Sequence, residues 1–304
     1  MRFVLRRLLA MIPTMWAVVT ITFFLIRAAP GGPFLAERDI PKEAKEALVA
    51  KYGLDRPLAV QYGRYLVNVV RFDLGPSYKY PSRTVREIIL GALPVSMQLG
   101  ASAMLLALLV GIPLGALAAV RQNSWLDHVP MSFAMLGVSV PNFVLGPLLI
   151  FVFALTLRWL PPALWGSLPH RVLPVLTLAA VYTAYIARLT RGGMLEVTHQ
   201  DFIRTARAKG LPEAKIVVMH ALRGGLLPAV SFLGPAVAGA VTGSIAVERI
   251  FAIPGVGQSF VNAAFNRDYT LVMGVVLFYA AFLIVFNLAV DVAYGFLDPR
   301  VRLE

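Results

Sequence analysis

Six stretches of the chain carry no charged residue: between Arg7 and Arg27, Glu87 and Arg121, Asp127 and Arg158, Arg171 and Arg188, Arg223 and Glu248, and Asp268 and Asp291. A helix that crosses a hydrocarbon core needs about 20 mostly apolar residues, and all but the fourth run reach that length. The fourth, 172–187, has 16 residues and crosses only if Arg171 and Arg188 snorkel their charges to the surfaces. The pattern predicts an all-α polytopic membrane protein with six transmembrane helices.

Composition agrees: 58% of the 304 residues are hydrophobic and 14% charged, with mean hydropathy +0.73, against about 25% charged in soluble domains. The N-terminal Arg2, Arg6 and Arg7 resemble the basic head of a signal peptide, but the apolar run beyond is too long and no small-x-small cleavage site precedes Pro30. Residues 1–29 therefore read as a retained signal-anchor helix. Basic residues favour the cytoplasmic ends of spans. The N-terminus and the loop at about 190–225, with Arg188, Arg191, Arg204, Arg207, Lys209, Lys215 and Arg223, are expected inside. Six crossings then return the C-terminus, with Arg300 and Arg302, to the cytoplasm. Residues 94–304 form a core of five further spans.

Residues 30–93 form a long connection, outside on this topology. Pro41 and Gly53 punctuate one helix within it, and 58–70 is a second, amphipathic one. Such a segment reads either as an ordered cap with a docking surface or as helices resting on the membrane.

Several chemistries are disfavoured. The sequence has no Gly-x-x-x-x-Gly-Lys phosphate loop, no His-Glu-x-x-His and no Gly-x-Ser-x-Gly, so neither nucleotide binding nor membrane-enzyme chemistry is signalled. With no cysteine and with His128, His170, His199 and His220 away from ligand spacing, no metal site is expected. The net charge of +12 is dispersed over loops instead of a compact module, which argues against nucleic acid. An ion-coupled carrier needs ionisable groups near the bilayer midplane. Glu248 and Arg249 end the fifth run and Asp291 falls late in the sixth, within reach of an interface or a neighbouring helix.

Inside the spans, Gly111 and Gly115, and Gly239 and Gly243, have the four-residue spacing that lets helix backbones approach. Pro141 interrupts the third span, with Ser139 and Asn142 supplying polar groups beside the kink. With Tyr182 and Tyr185 these are the candidates for lining a polar path; interhelical hydrogen bonds and interfacial anchoring are the competing roles. At 246–257, Glu248 and Arg249 precede a turn containing Pro254, Gly255 and Gly257, a structured re-entry or a rigid surface turn.

The loop 201–223 reads as helix, turn, helix: 204–209 is rich in helix formers, Gly210 suits a C-terminal cap and Pro212 a new start. It resembles the signature of membrane subunits of ABC importers, in which Glu-Ala-Ala, three residues and Gly form a coupling helix. Here the corresponding positions are Arg204, Thr205, Ala206 and Gly210. The signature Glu is absent, but Arg204-Thr-Ala-Arg-Ala-Lys-Gly-Leu211 is similar to the variant in the oligopeptide/dipeptide/nickel permease branch. The resemblance extends through Phe72-Asp-Leu-Gly-Pro-Ser77, 248–257 and Asp298-Pro-Arg300. Ala29-Pro-Gly-Gly-Pro-Phe34, Gly75-Pro-Ser-Tyr-Lys-Tyr80 and Asn266-Arg-Asp-Tyr269 most resemble B-type permease subunits of oligopeptide importers.

The resemblance implies a type I ABC importer permease fold in a bacterial inner membrane. It implies a heterodimer with a homologous second permease, two ATP-binding subunits carrying ATP and Mg, and an extracytoplasmic peptide-binding protein. No cofactor is expected on this chain. Thr205, Ala206, Ala208 and Gly210 would form the packed face and turn of the coupling loop. Arg204, Arg207 and Lys209 would meet the ATPase groove or lipid headgroups. Glu248, Arg249, Pro254, Gly255 and Gly257 would sit near the outer gate or the binding-protein contact. A dipeptide or nickel permease, and an ion-coupled carrier, are the alternatives.

Overall fold

The computed structural model describes residues 2–29, 32–33, 42–80, 82–242 and 244–297. Gly243, half of the 29–34 motif and the 298–300 motif lie outside the described residues, as does the C-terminal pair Arg300 and Arg302. The same holds for the side chains of Arg2, Arg6 and Asp291. Helix α1 (Arg2–Ala28) leads to two short helices, α2 (Lys42–Lys51) and α3 (Leu58–Val70). The long α4 (Val85–Val120) turns at 121–124 into α5 (Trp125–Ser139), and α6 (Asn142–Leu149) runs on into a π-helical segment, Ile150–Thr156. Then come α7 (Leu168–Thr198) and α8 (Asp201–Ala208). A continuous climb follows through α9 (Glu213–Lys215), a π turn (Ile216–Ala221), α10 (Leu222–Gly225) and α11 (Leu227–Thr242). The chain ends with α12 (Ile245–Ile250), α13 (Val256–Phe265) and α14 (Tyr269–Leu297).

Five helical stretches are long and apolar enough to cross a membrane, and the pair α5 and α6 with its π extension makes a sixth if counted as one span. That pair is bent by 108°. Pro141 was expected to kink a continuous helix; instead Val140 and Pro141 are both extended, so the helix is broken and restarted.

The fourth crossing is also longer than its charge-free run suggested. Helix α7 has 31 residues, about 46 Å at 1.5 Å per residue, and carries Arg188 and Arg191 on its final turns. Arg191 can stay there because Asp127, 1% exposed, takes its guanidinium in a two-pronged bond at 2.5 and 2.7 Å. Arg171, at the other end, lies over the Trp165 ring at 5.1 Å.

The boundary drawn at 93/94 falls inside α4. Thr84 and Glu87 form a reciprocal capping box, so the helix starts at Val85, before the charge-free run begins. The two helices expected in the connection are present as α2 and α3. Helix α3 is tied to α1 by Tyr62 on Thr20 at 2.7 Å, by Gln61 on Arg27 at 3.1 Å and by the Phe23, Tyr62 and Tyr65 rings.

The core is a bundle in which α4 packs mainly on α7, with α5, α11 and α14 around them. Gly111 and Gly115 are the reason α4 and α7 come so close: a Cβ on Gly111 would lie 2.9 Å from the Thr183 carbonyl, and one on Gly115 would overlap that of Ala187. The glycine spacing serves backbone packing.

Candidate functional site

Two clusters gather the residues singled out from the sequence, one at the C-terminal end of α4 and one about a third of the way along it. Ser96 and Ala119, their respective contacts on that helix, are 23 residues and about 35 Å apart along its axis.

The first is built on α8. Asp201 occupies its first turn, and Gly210 follows with φ +74°, the left-handed conformation that closes the helix. The Leu211 amide returns to the Ala206 carbonyl at 3.3 Å, and Pro212 caps the climb that starts at Glu213. The face turned to the bundle is Ile203 and Ala206, which join Ala119, Met194, Val197, Ile216 and Ala221 in one buried cluster. Of the residues expected to pack, only Ala206 does so within the chain. Thr205 and Ala208 are exposed with Arg204 and Lys209, because the helical period turns them away from Ile203, and Gly210 lies past the end of the helix as its turn. Ile203, which carries the seat, was missed; its apolar character three residues before Ala206 was the available signal. Arg207 pairs with Glu213 across the turn at 2.7 Å, which holds the Glu213 carboxyl below its usual range. The outer face of α8 is mixed, with Phe202, Arg204, Thr205, Ala208 and Lys209 beside an exposed Asp201 that pairs with Arg204 at 3.5 Å.

The second cluster surrounds Glu248. The carboxylate is fully buried on α12 and has hydrogen bonds from Ser244 Oγ at 2.5 Å, Ser96 Oγ at 2.8 Å and the Gln258 amide at 3.0 Å. Ser96 in turn accepts from the Val256 amide at 2.9 Å. Gly255 and Gly257 make room: a Cβ on either would press on Glu248 Oε2. Of the two positions foreseen for Glu248, the neighbouring helix is the one realised. Pro254 and Arg249 stand outside this nest, both exposed, with Arg249 reaching Asn262 at 3.4 Å. Ser96 and Ser244 were not anticipated; a lone serine in an apolar run carries no signal of a partner 152 residues away.

The polar-path candidates do not form one group. Ser139 is exposed just before the break. Asn142 begins α6 with a buried Oδ1 that has no hydrogen-bond partner among the described residues. Tyr182 packs between two apolar clusters, and its hydroxyl lies against Gly239. Tyr185 meets the Phe232 ring at 5.3 Å.

Known proteins share both the sequence and the architecture. The family described as binding-protein-dependent transport system inner membrane component matches residues 111–303, and its N-terminal component matches 1–99. The chain is 48% identical to the oligopeptide transport system permease protein OppB of Salmonella typhimurium, over 99% of each chain. It is 47% identical to the dipeptide transport system permease protein DppB of Bacillus subtilis, over 100% of this chain and 98% of that one. Among solved structures, the MetNI methionine ABC transporter in inward-facing conformations aligns with TM-score 0.57 at 18% identity. That alignment covers 70% of this chain and 97% of the other, a likeness of fold.

Proposed function

The chain belongs to the family of binding-protein-dependent transport system inner membrane components, and on that premise we propose that it is a pore-forming subunit of an ABC importer for oligopeptides. The observation that carries this reading is identity of 48% with an oligopeptide permease sustained over 99% of both chains. The subunit spans the membrane several times and works with a second permease, ATPases and a binding protein. It has no chemistry of its own: ATP and Mg are held by the two ATPases.

In this reading the N-terminus, α8 and the C-terminus face the cytoplasm of a bacterial inner membrane, as the basic residues around 188–223 favour. Helix α8 is the coupling helix. Its outer face, Phe202, Arg204, Thr205, Ala208 and Lys209, enters a groove on an ATPase, while Ile203 and Ala206 hold it to α4 and α7. ATP-driven closure of the ATPases can select the outward-open state only through contacts that differ between the two states. A small seat on the ends of two long helices is suited to carry that difference. The nest around Glu248, at the far end, then belongs to the outer gate or to the surface that meets the binding protein. Peptide selection rests mainly with the binding protein, and Ser139, Asn142, Tyr182 and Tyr185 are the groups through which the pore would touch its cargo.

The test is purification of the tagged chain in mild detergent after co-expression with its partner subunits, followed by ATPase assay. Co-purified ATPase activity that rises with peptide-loaded binding protein is expected. A lone chain without such activity would overturn the reading. The 47% identity to a dipeptide permease favours a second reading, uptake of dipeptides. Competition between dipeptides and longer peptides for uptake separates the two.

A further inference from the structure

Between α1, α3, α4 and α14 runs a groove of about 600 Å3 lined by Met15, Val69, Leu90, Phe278, Ala281 and, alone among its lining residues in carrying charge, Arg86. Arg86 is exposed and makes no hydrogen bond or ion pair with a described residue. Helix stability does not account for it, since it stands in the first turn of α4, where the helix dipole disfavours a cation. Its neighbour Glu87 accepts from the Thr84 amide at 2.9 Å and makes no ion pair with Arg86 among the described residues. Phe72, on the rim, is 82% exposed and held at φ +57°, a conformation bulky residues rarely take.

The depth of the groove is set by α14. Val85 lies against Gly274, and Ala281 is seven residues further along that helix, about 10 Å. The apolar lining therefore descends about 10 Å from the level of the guanidinium. One leaflet's hydrocarbon is about 15 Å deep. A charge at headgroup height above an apolar slot of that depth fits a lipid, and the unopposed positive charge fits one with a net negative headgroup.

We propose that this groove is a binding site for an anionic phospholipid, with the phosphate on Arg86 and one acyl chain along Leu90, Phe278 and Ala281. The guanidinium offers a planar fork to the phosphate oxygens. The absence of an acidic lining residue leaves nothing to meet the ammonium of a zwitterionic headgroup. The site is independent of the transport reading, because it requires only that α1, α4 and α14 lie in a bilayer.

The assembled complex, stripped with detergent and offered phosphatidylglycerol or phosphatidylcholine of the same acyl chains, is read by native mass spectrometry. Retention of one phosphatidylglycerol in preference to phosphatidylcholine is expected. Arg86→Gln should cut that preference about fivefold, the scale of one basic residue against an anionic surface. Arg86→Lys, which keeps the charge and loses the fork, should fall between the natural sequence and Arg86→Gln, and Ala281→Trp, which fills the slot, should abolish retention of both lipids. Equal retention of the two lipids by the natural sequence, or unchanged preference in Arg86→Gln, overturns the proposal. So does a photo-crosslinker at Leu90 that captures the second permease in place of lipid.

Discussion

The Ser96 hydroxyl on α4 donates to Glu248 on α12 at 2.8 Å while its oxygen accepts the Val256 amide at 2.9 Å. One small side chain thus joins α4 to two consecutive helices, α12 and α13, that lie about 150 residues further along the chain. All the groups involved are buried, so each depends on the others for its hydrogen bonds.

Glu248→Ala leaves the Ser96 and Ser244 hydroxyls and the Gln258 amide without their acceptor. An orphaned buried polar group costs about 1–3 kcal/mol. The variant should show a clear drop in thermal stability of the purified complex and lose most uptake, whereas Glu248→Gln, which keeps one oxygen, should be milder. Equal melting and uptake for all three proteins would exclude a structural role for the nest.

Gly255→Ala should mimic the loss of the nest, because the new methyl group runs into the carboxylate. The two changes act on one contact, so Glu248→Ala with Gly255→Ala should cost less than the sum of the single effects. A double-mutant cycle on melting temperature measures the coupling; additivity would separate the two sites.

At the other end, Gly210→Val tests the turn after α8. There is open space around the position, so any effect comes from the backbone at φ +74°, where an L-residue is strained by about 1–2 kcal/mol. Uptake and stimulated ATPase should fall, with peptide affinity of the binding protein unchanged. Gly210→Asn, which tolerates the left-handed region, should retain more activity.

Asp127→Asn removes the buried partner of Arg191. Arg191 is partly exposed, so breaking one side of the pair costs about 1–3 kcal/mol, and Arg191→Lys should also be damaging because the fork is lost. Asp127→Asn combined with Arg191→Met should recover part of the stability, measured by thermal unfolding.

The Arg207 guanidinium lowers the Glu213 pKa from its ordinary 4.5. A carboxylate lowered by folding stabilises above its unfolded pKa, and that contribution is lost as pH falls through the folded value. The pair is therefore constant around neutrality and disappears in acid. Being half exposed, it contributes about 0.5 kcal/mol after screening. Glu213→Gln should raise amide exchange in α8 about twofold at neutral pH, a difference that vanishes below the carboxylate range.

Much of this was legible in the sequence because apolar periodicity and local caps are encoded by neighbours. The bounds of α3 and the turn at Gly210 follow from such signals. What could not be read depends on partners far along the chain. The true length of α7 requires Asp127, 64 residues before Arg191, and the burial of Glu248 requires Ser96. Counting charge-free residues treats every charge as a membrane boundary, and a paired charge is not one. The seat of α8 was misjudged for a related reason: small residues suggest packing, but Ile203 carries the area.

At Gly111 and Gly115 the backbone of α4 meets that of α7 at Thr183 and Ala187 with no side chain between them to yield, which stiffens the pair into one beam at that crossing. Helix α8 is seated at Ala119 near one end of that beam, and the Glu248 nest grips Ser96 about 35 Å away along α4. A swing of ten degrees about the crossing would displace points about 35 Å apart by about 6 Å relative to one another, roughly one helical turn. Widening the crossing with larger residues would insert play into the beam, so that a displacement at α8 would no longer be followed at the Glu248 nest.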